Sequence, residues 1–432
     1  MNSFEVCIDW LDAAGVRTPE LAATWASLSM RIGNEPVTLV RDTLANSYRD
    51  SIHVSAYPLA EWIAYNWWLL TTPGSTAQVD FLNAAQRPSL DMRAAGDGFA
   101  WPPIRLFPEQ GYYFITSRPE ESADQRIIYQ QRSSWVTDFD DTVTGLFGFV
   151  ASVITRLEQE NIFDTPLQRE WSRVENMSED ELEFCRVAAA FGLDPYSAGP
   201  LESQGLIDAA AKVGNVDLLA EVVPVTPRDG LQYSADWLAE SLQELNELET
   251  SETGRVVEKI ASAVSARHLR QQARSLEHPW TIGFSRARAA RDVLGLKSSD
   301  AAPVETYIST AYSKLPSPIH APALVTPSTP SPRAVVGPSR GVSSTRFLQA
   351  RVLSRAVYQS DERVHVMTDG PFISDRIERA FAAEFLAPAI GISTLLAGDF
   401  SDRACQGVAD HFGVDRRVIE HQIDNQIRAD FS

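Results

Sequence analysis

Side chains able to bind metal or attack a substrate are present in this 432-residue chain, but their spacing suits neither task. Of its seven histidines, no two lie three to five residues apart, the separation that would aim two imidazoles from one helix at a metal. The three cysteines, Cys7, Cys185 and Cys405, form no CxxC pair, and an odd number makes poor material for a disulfide framework. Cys185 sits within an apolar helical run, which points to an inert buried thiol. No GxGxxG follows a strand pattern, and neither a GxxxxGK[ST] loop nor a GxSxG elbow occurs. Arg351 and Arg355 are four apart, so on a helix they share a face. A guanidinium has no free lone pair and keeps its charge, so such a face can recognise carboxylates but cannot bind a cation.

One further constellation could contact nucleic acid. In "ACQGVADHFGVDRRVIEHQI", Ala409, Gly413 and Ile419 fit the small residue, turn glycine and apolar residue of a helix-turn-helix. The second helix would carry Arg416, Arg417, His421 and Gln422, types that reach phosphates or base edges. Asp415, Glu420 and Asp424 share the stretch, and the chain carries 57 acids against 38 bases, a net charge of −19. A field of that sign repels phosphate backbones and disfavours non-specific coating of DNA.

The elements that must position these residues can be read from periodicity. At this length two or three domains are expected, and an apolar fraction of 44% is ordinary for a folded soluble protein. "ASLSMRI" and "SIHVSA" alternate with period two, placing Ala26, Leu28, Met30 and Ile32, then Ile52, Val54 and Ala56, on buried strand faces. "YPLAEWIAYNWWLL" turns helical after Pro58, with Leu59, Ile63, Trp67 and Leu70 on one stripe. "WPPIRLF", "GYYFITS" and "RIIYQQRSSWV" are short aromatic strands. Residues 1–137 are therefore expected to form a small α+β domain, in which Trp62, Trp67 and Trp68 serve as core anchors rather than a base-stacking platform.

From 138 to 278 the period is helical. Phe139, Val143, Phe147, Val150, Ile154 and Leu157 make one stripe, and Ser178 with Glu181 offers a capping box. Two more helices are expected on either side of Gly254, the first with its acids on a solvated face. The stretch 315–333 carries six prolines and reads either as a linker or as brief strands, "APALV" and "RAVVG", joined by proline turns. No signal-peptide pattern opens the sequence and no run of eighteen apolar residues occurs, so a cytoplasmic protein is expected.

The C-terminal third resembles the ImmA/IrrE-type zinc metallopeptidases, whose members often cleave or control phage and stress repressors. That family has a segment like RFTLAHELGH, holding two zinc-binding histidines and a glutamate base, and later a helix like FAAELLMP behind an acidic ligand. The chain has "RFLQARVLSR" at 346–355 and "RAFAAEFLAP" at 379–388, in that order. "PWTIGFSRARAARDVLGL" resembles the opening helix, and "VADHFGVDRRVIEHQIDNQ" the helical tail. Against HELGH the chain reads Arg351, Val352, Leu353, Ser354, Arg355. Both ligand positions are arginine and the base position is valine, so neither zinc binding nor water activation is expected there.

The resemblance places the third ligand near Asp375 or Glu378. It thus implies that the two arginines pair with Asp375, Glu378 or Glu384 across a relic site, cations standing in for a cation.

The fold expected is α+β and predominantly helical: a mixed N-terminal domain, a helical middle (138–278) and an ImmA/IrrE-like domain (279–432). The function expected is non-catalytic, with no zinc or other cofactor, binding a protein partner such as a repressor or defence component through the relic cleft. Two alternatives stand beside it. One is an active zinc metalloendopeptidase with a non-standard site, using His365 and acids of the FAAEFLAP helix on a repressor. The other is a helix-turn-helix regulator acting through residues 404–428.

Overall fold

The computed structural model describes residues 3–13, 15–74, 90–109, 111–120, 125–248, 256–263, 279–327, 332–338, 341–358, 363–370 and 372–427. The class is mixed α+β with helix predominating. The chain divides into two compact units, Met1–Ser203 and Gln204–Ser432.

In the first unit, β1 (Phe4–Trp10) pairs antiparallel with β2 (Trp25–Ile32), which also pairs with β3 (Glu35–Pro36) and β6 (Ile52–Ser55). A second sheet joins β10 (Ser133–Asp138), β8 (Tyr112–Ser117) and β7 (Ile104–Glu109). The third sheet is β5 (Ser47–Arg49), β4 (Val40–Asp42) and β9 (Ile127–Tyr129). Ala26, Leu28, Met30 and Ile32 are all buried, as period two demands. Helices α1 (Pro19–Ala23), α2 (Tyr57–Tyr65) and α3 (Trp67–Thr71) follow, the last two separated at Asn66. Trp67 and Trp68 are buried, and Trp67 meets Trp171 edge-on at 4.9 Å between centroids, so these rings are core.

The helical region beginning at 138 does not stand apart from this unit. Helix α4 (Phe139–Gln159), N-capped by Asp138, packs on β1, β8 and β10. Its buried face is Thr142, Leu146, Phe149, Val150, Val153 and Leu157, a rotation from the expected stripe that leaves Phe147 41% exposed. Gly145 explains the rotation: a Cβ there would lie 2.9 Å from the Phe4 carbonyl, so the helix turns this glycine toward β1. Helices α5 (Pro166–Glu175) and α6 (Glu179–Ala190) complete the unit. Thr165 and Gln168 form a reciprocal capping box at α5, whereas Ser178 caps α6 by accepting from Glu181 N. The boundary between the two compact units falls inside α7 (Pro200–Val213).

The second unit continues with α8 (Val216–Val222), α9 (Leu231–Glu247), α10 (256–263) and α11 (Pro279–Leu294). Gly254 and the remainder of the helix expected after it lie outside the described residues. Its sheet has the order β11 (Ser309–Tyr312), β13 (Arg333–Val336), β12 (Ala323–Thr326), β14 (His365–Met367). The first pair is parallel and the others antiparallel. "APALV" and "RAVVG" thus supply buried central strands within the proline-rich stretch.

Helix α9 lies against β11, β12 and β13. Its Glu240 carboxylate accepts from the backbone N–H groups of Lys314 and Leu315, so its acids are not merely solvated. Helix α12 (Val342–Tyr358) packs on β12, β13 and α13 (Ile373–Leu386). Helices α14 (Ala389–Leu396), α15 (Asp402–Phe412) and α16 (Arg416–Gln422), then a π turn (Ile423–Ile427), close the described chain. Among the described residues, no single helix is long and apolar enough to cross a membrane.

A buried arginine–carboxylate cluster as candidate functional site

Helix α12 is buried from Leu348 through Val357 on all sides, an arrangement that normally demands an apolar helix. Val352, at the position aligned with the base, is packed in the apolar core. Arg351 and Arg355 are buried too, at 1% and 4% exposure. Guanidiniums at that depth require partners for charge and N–H groups alike.

Helix α13 supplies carboxylates to both, while Arg351 Nε has no hydrogen-bond partner among the described residues. Arg351 Nη2 lies 3.2 Å from Asp375 Oδ1 and 3.3 Å from Glu378 Oε2, and Arg355 Nε donates to Glu378 Oε1 at 2.7 Å. Asp375 and Glu378, three apart on α13, face the two arginines four apart on α12. The segment after β14 contributes further acceptors: Arg351 Nη1 reaches Asp369 Oδ1 at 2.6 Å, and Nη2 donates to the Thr368 carbonyl at 2.6 Å. Thr368 Oγ1 donates to Asp375 Oδ2 at 2.8 Å.

Burial disfavours the charge on each arginine, yet the carboxylates outweigh it. Asp375, Glu378 and Asp369 hold Arg351 above the ordinary guanidinium range, and Glu378 does the same for Arg355. Asp375 is pushed up to about 7, chiefly by burial and further by Glu378, with Arg351 opposing.

Glu384 does not join them. Six residues beyond Glu378, it lies about 120° around the helix. It accepts instead from Arg288 Nε at 2.8 Å, Gln422 Nε2 at 2.8 Å, Gln426 Nε2 at 2.9 Å and Ala389 N at 3.2 Å. This carboxylate therefore ties α11, α13 and α14 to the C-terminal helices.

The candidate nucleic-acid face is divided. Ala409 and Ile419 are buried and Gly413 adopts φ +66°, so the α15–turn–α16 geometry is present. Gln422 is 1% exposed and spends its amide on Glu384 and the Ala387 carbonyl, so it cannot touch a base. Arg416 pairs with Asp402 and Glu420, while Arg417 and His421 are exposed. His365 is buried on β14, with its Nδ1 2.8 Å from Glu221 Oε1.

Thr368, Asp369 and Glu221 are cluster neighbours that sequence reasoning missed. Glu221 lies 144 residues from His365 in the chain and had no local signal. Thr368-Asp369-Gly370, directly after a strand pattern, is a turn signature that could have drawn attention.

No protein-family model matches the chain, and no curated protein is significantly similar to it.

The zinc implied by the resemblance does not fit these residues. Positions 351 and 355 present only N–H donors, and Asp375 and Glu378 already accept from them. What the arrangement can do is hold α12, α13 and β14 together through forked, charge-assisted hydrogen bonds.

Proposed function

We propose that the chain is a non-catalytic relative of the ImmA/IrrE-type peptidases. Its second unit binds a protein partner at the relic cleft bounded by α12, α13 and β14, in repressor control or phage defence. The observation that carries this reading is the seating of Arg351 and Arg355 on Asp375 and Glu378, where the resemblance puts a metal and its ligands. Water activation needs a Lewis acid or a base, and neither a guanidinium nor Val352 supplies one. The order of α11, the sheet, α12, α13 and a helical tail also agrees with the resembling segments.

Two experiments test it. Replacing Arg351→His, Val352→Glu and Arg355→His together restores the family's ligand types and is expected to confer zinc uptake on a folded protein. A folded triple variant that takes up no zinc would count against a relic metal site. A photo-crosslinking residue at Asp369, whose side chain is 37% exposed, is expected to trap a discrete protein in cells expressing the chain. A crosslinker at that position yielding only nucleic acid, or nothing, contradicts the partner role.

A further inference from the structure

Helix α13 carries two arginines that the buried cluster does not use. Apart from Ser374 at its start, the residues of α13 that are not buried are Arg376, Arg379 and Ala383. Spaced three and four apart, they form one stripe along the helix. Asp375 and Glu378 alternate with the arginines in sequence, but their carboxylates turn inward to Arg351 and Arg355. Glu384 is buried as well, against Arg288. The helix therefore spends its acids on the interior and presents its bases outward.

Neither Arg376 nor Arg379 makes an ion pair among the described residues, whereas Arg288 and Arg346, which also reach the surface, are seated on Glu384 and Glu305. Arg376 is exposed. Arg379 is half-buried, and its side chain donates one hydrogen bond, from Nη2 to the Gly370 carbonyl at 3.2 Å. Most of its N–H groups are not used by the fold. Burial pulls Arg379 below the ordinary guanidinium range, with Asp375 opposing and Arg351 adding to the fall, so the nearby acids do not fully offset the burial. Gly370 follows Asp369, whose side chain is 37% exposed against 1% and 5% for Asp375 and Glu378. The bond to Gly370 thus sets Arg379 at the mouth of the cleft.

We propose that Arg376 and Arg379 form a carboxylate-recognition site at the mouth of the cleft, and that the segment they bind is an acidic stretch of the protein partner. The inference rests on the partner-binding reading above and specifies the partner's chemistry. Residues three apart on a helix surface hold their Cβ atoms about 5–6 Å apart. Alternate side chains of an extended peptide lie about 7 Å apart. Long arginine stems span that difference, so each guanidinium can take one carboxylate through paired N–H groups. Nucleic acid suits the site less well, because a net charge of −19 opposes a phosphate backbone. A short acidic segment meets the same field with far fewer charges.

The test titrates the full chain, carrying isotope-labelled arginine, with an acetylated and amidated peptide of alternating Glu and Ala. The side-chain resonances of Arg376 and Arg379 are expected to move saturably. A peptide of alternating Gln and Ala is expected to leave them in place. Changing Arg376→Gln and Arg379→Gln together is expected to raise the Kd about tenfold or more. Arg376→Glu alone, at an exposed position, is expected to weaken binding comparably with an unchanged melting temperature. Arg417→Gln, at another exposed arginine of the second unit, is expected to leave the Kd unaltered.

Resonances that stay in place at millimolar Glu peptide would overturn the inference. Equal shifts with the Gln peptide would overturn it too, because the contact would not be ionic. So would a Kd unaffected by Arg376→Glu, which puts binding elsewhere. Tighter binding of a DNA duplex through the same arginines would make the site one for phosphate and overturn the partner's chemistry. If the Glu peptide fails while a crosslinker at Asp369 still traps a protein, this inference falls and the partner reading stands. If the peptide binds while the crosslinker traps nothing, the carboxylate site stands and the partner reading falls.

Discussion

Arg351 is among the largest fully buried side chains in the protein, and its charge is balanced within a few ångströms by Asp375, Glu378 and Asp369. Truncating one partner of such a buried set is costly because the survivors keep their desolvation penalty. Arg351→Ala is expected to lower unfolding stability by about 3–5 kcal/mol, read from urea denaturation. Arg351→Lys should recover only part of this, since an ammonium cannot reproduce the fork. A change near zero for Arg351→Ala would mean that the cluster does not hold these helices.

Asp375 carries the pH dependence. Its folded-state pKa, about 7, lies above the ordinary 3.8, so the folded chain holds this proton more tightly than the unfolded chain does. Its contribution to stability is therefore complete below about pH 4 and falls as pH rises to about 7. Asp375→Asn is expected to flatten that part of the stability–pH curve. Arg351→Ala should steepen it and extend it upward, because the arginine is what opposes the rise.

At the scale of elements, α11 and α13 approach each other closely at Gly283. A Cβ on Gly283 would meet the Ile377 carbonyl at 2.4 Å, the Ala380 Cβ at 2.7 Å and the Phe381 N at 2.8 Å. Two of these are backbone atoms that cannot swing aside, so Gly283→Ala is expected to destabilise by about 1–3 kcal/mol through overpacking. Calorimetry would check it, and an unchanged melting temperature would contradict the contact. Glu384→Ala is expected to loosen the C-terminal helices first, so amides of 402–427 should exchange faster while the strands keep their protection.

How much of this could be read beforehand depends on how local each signal was. The β2 alternation and the i, i+4 spacing of Arg351 and Arg355 are properties of a few neighbouring residues, and both were legible. The orientation of α4 was not, because an equally apolar stripe competes with the true face and Gly145 against Phe4 decides between them. The side-chain partners of Glu384 come from residues 96 positions before it and 38 and 42 after, and nothing near it in the chain announces them. Gln422 looked like a base reader because a short polar residue on a second helix has the same appearance whether it faces DNA or a buried glutamate.

For the whole molecule, the net charge of −19 and the ion pairs that occupy Arg416 argue against a role on phosphate backbones. The first unit has an aromatic core of its own, in which Trp67 and Trp171 meet edge-on. On the reading proposed above, Arg351 and Arg355 of the second unit stand where a peptidase would keep its metal ligands. Elemental analysis of the purified full chain, prepared without chelator and without a histidine tag, tests this most directly. Zinc is expected far below one atom per chain, even after incubation with the metal. One tightly held zinc per chain, lost on changing His365 or Asp375, would contradict it and return the chain to the metallopeptidases.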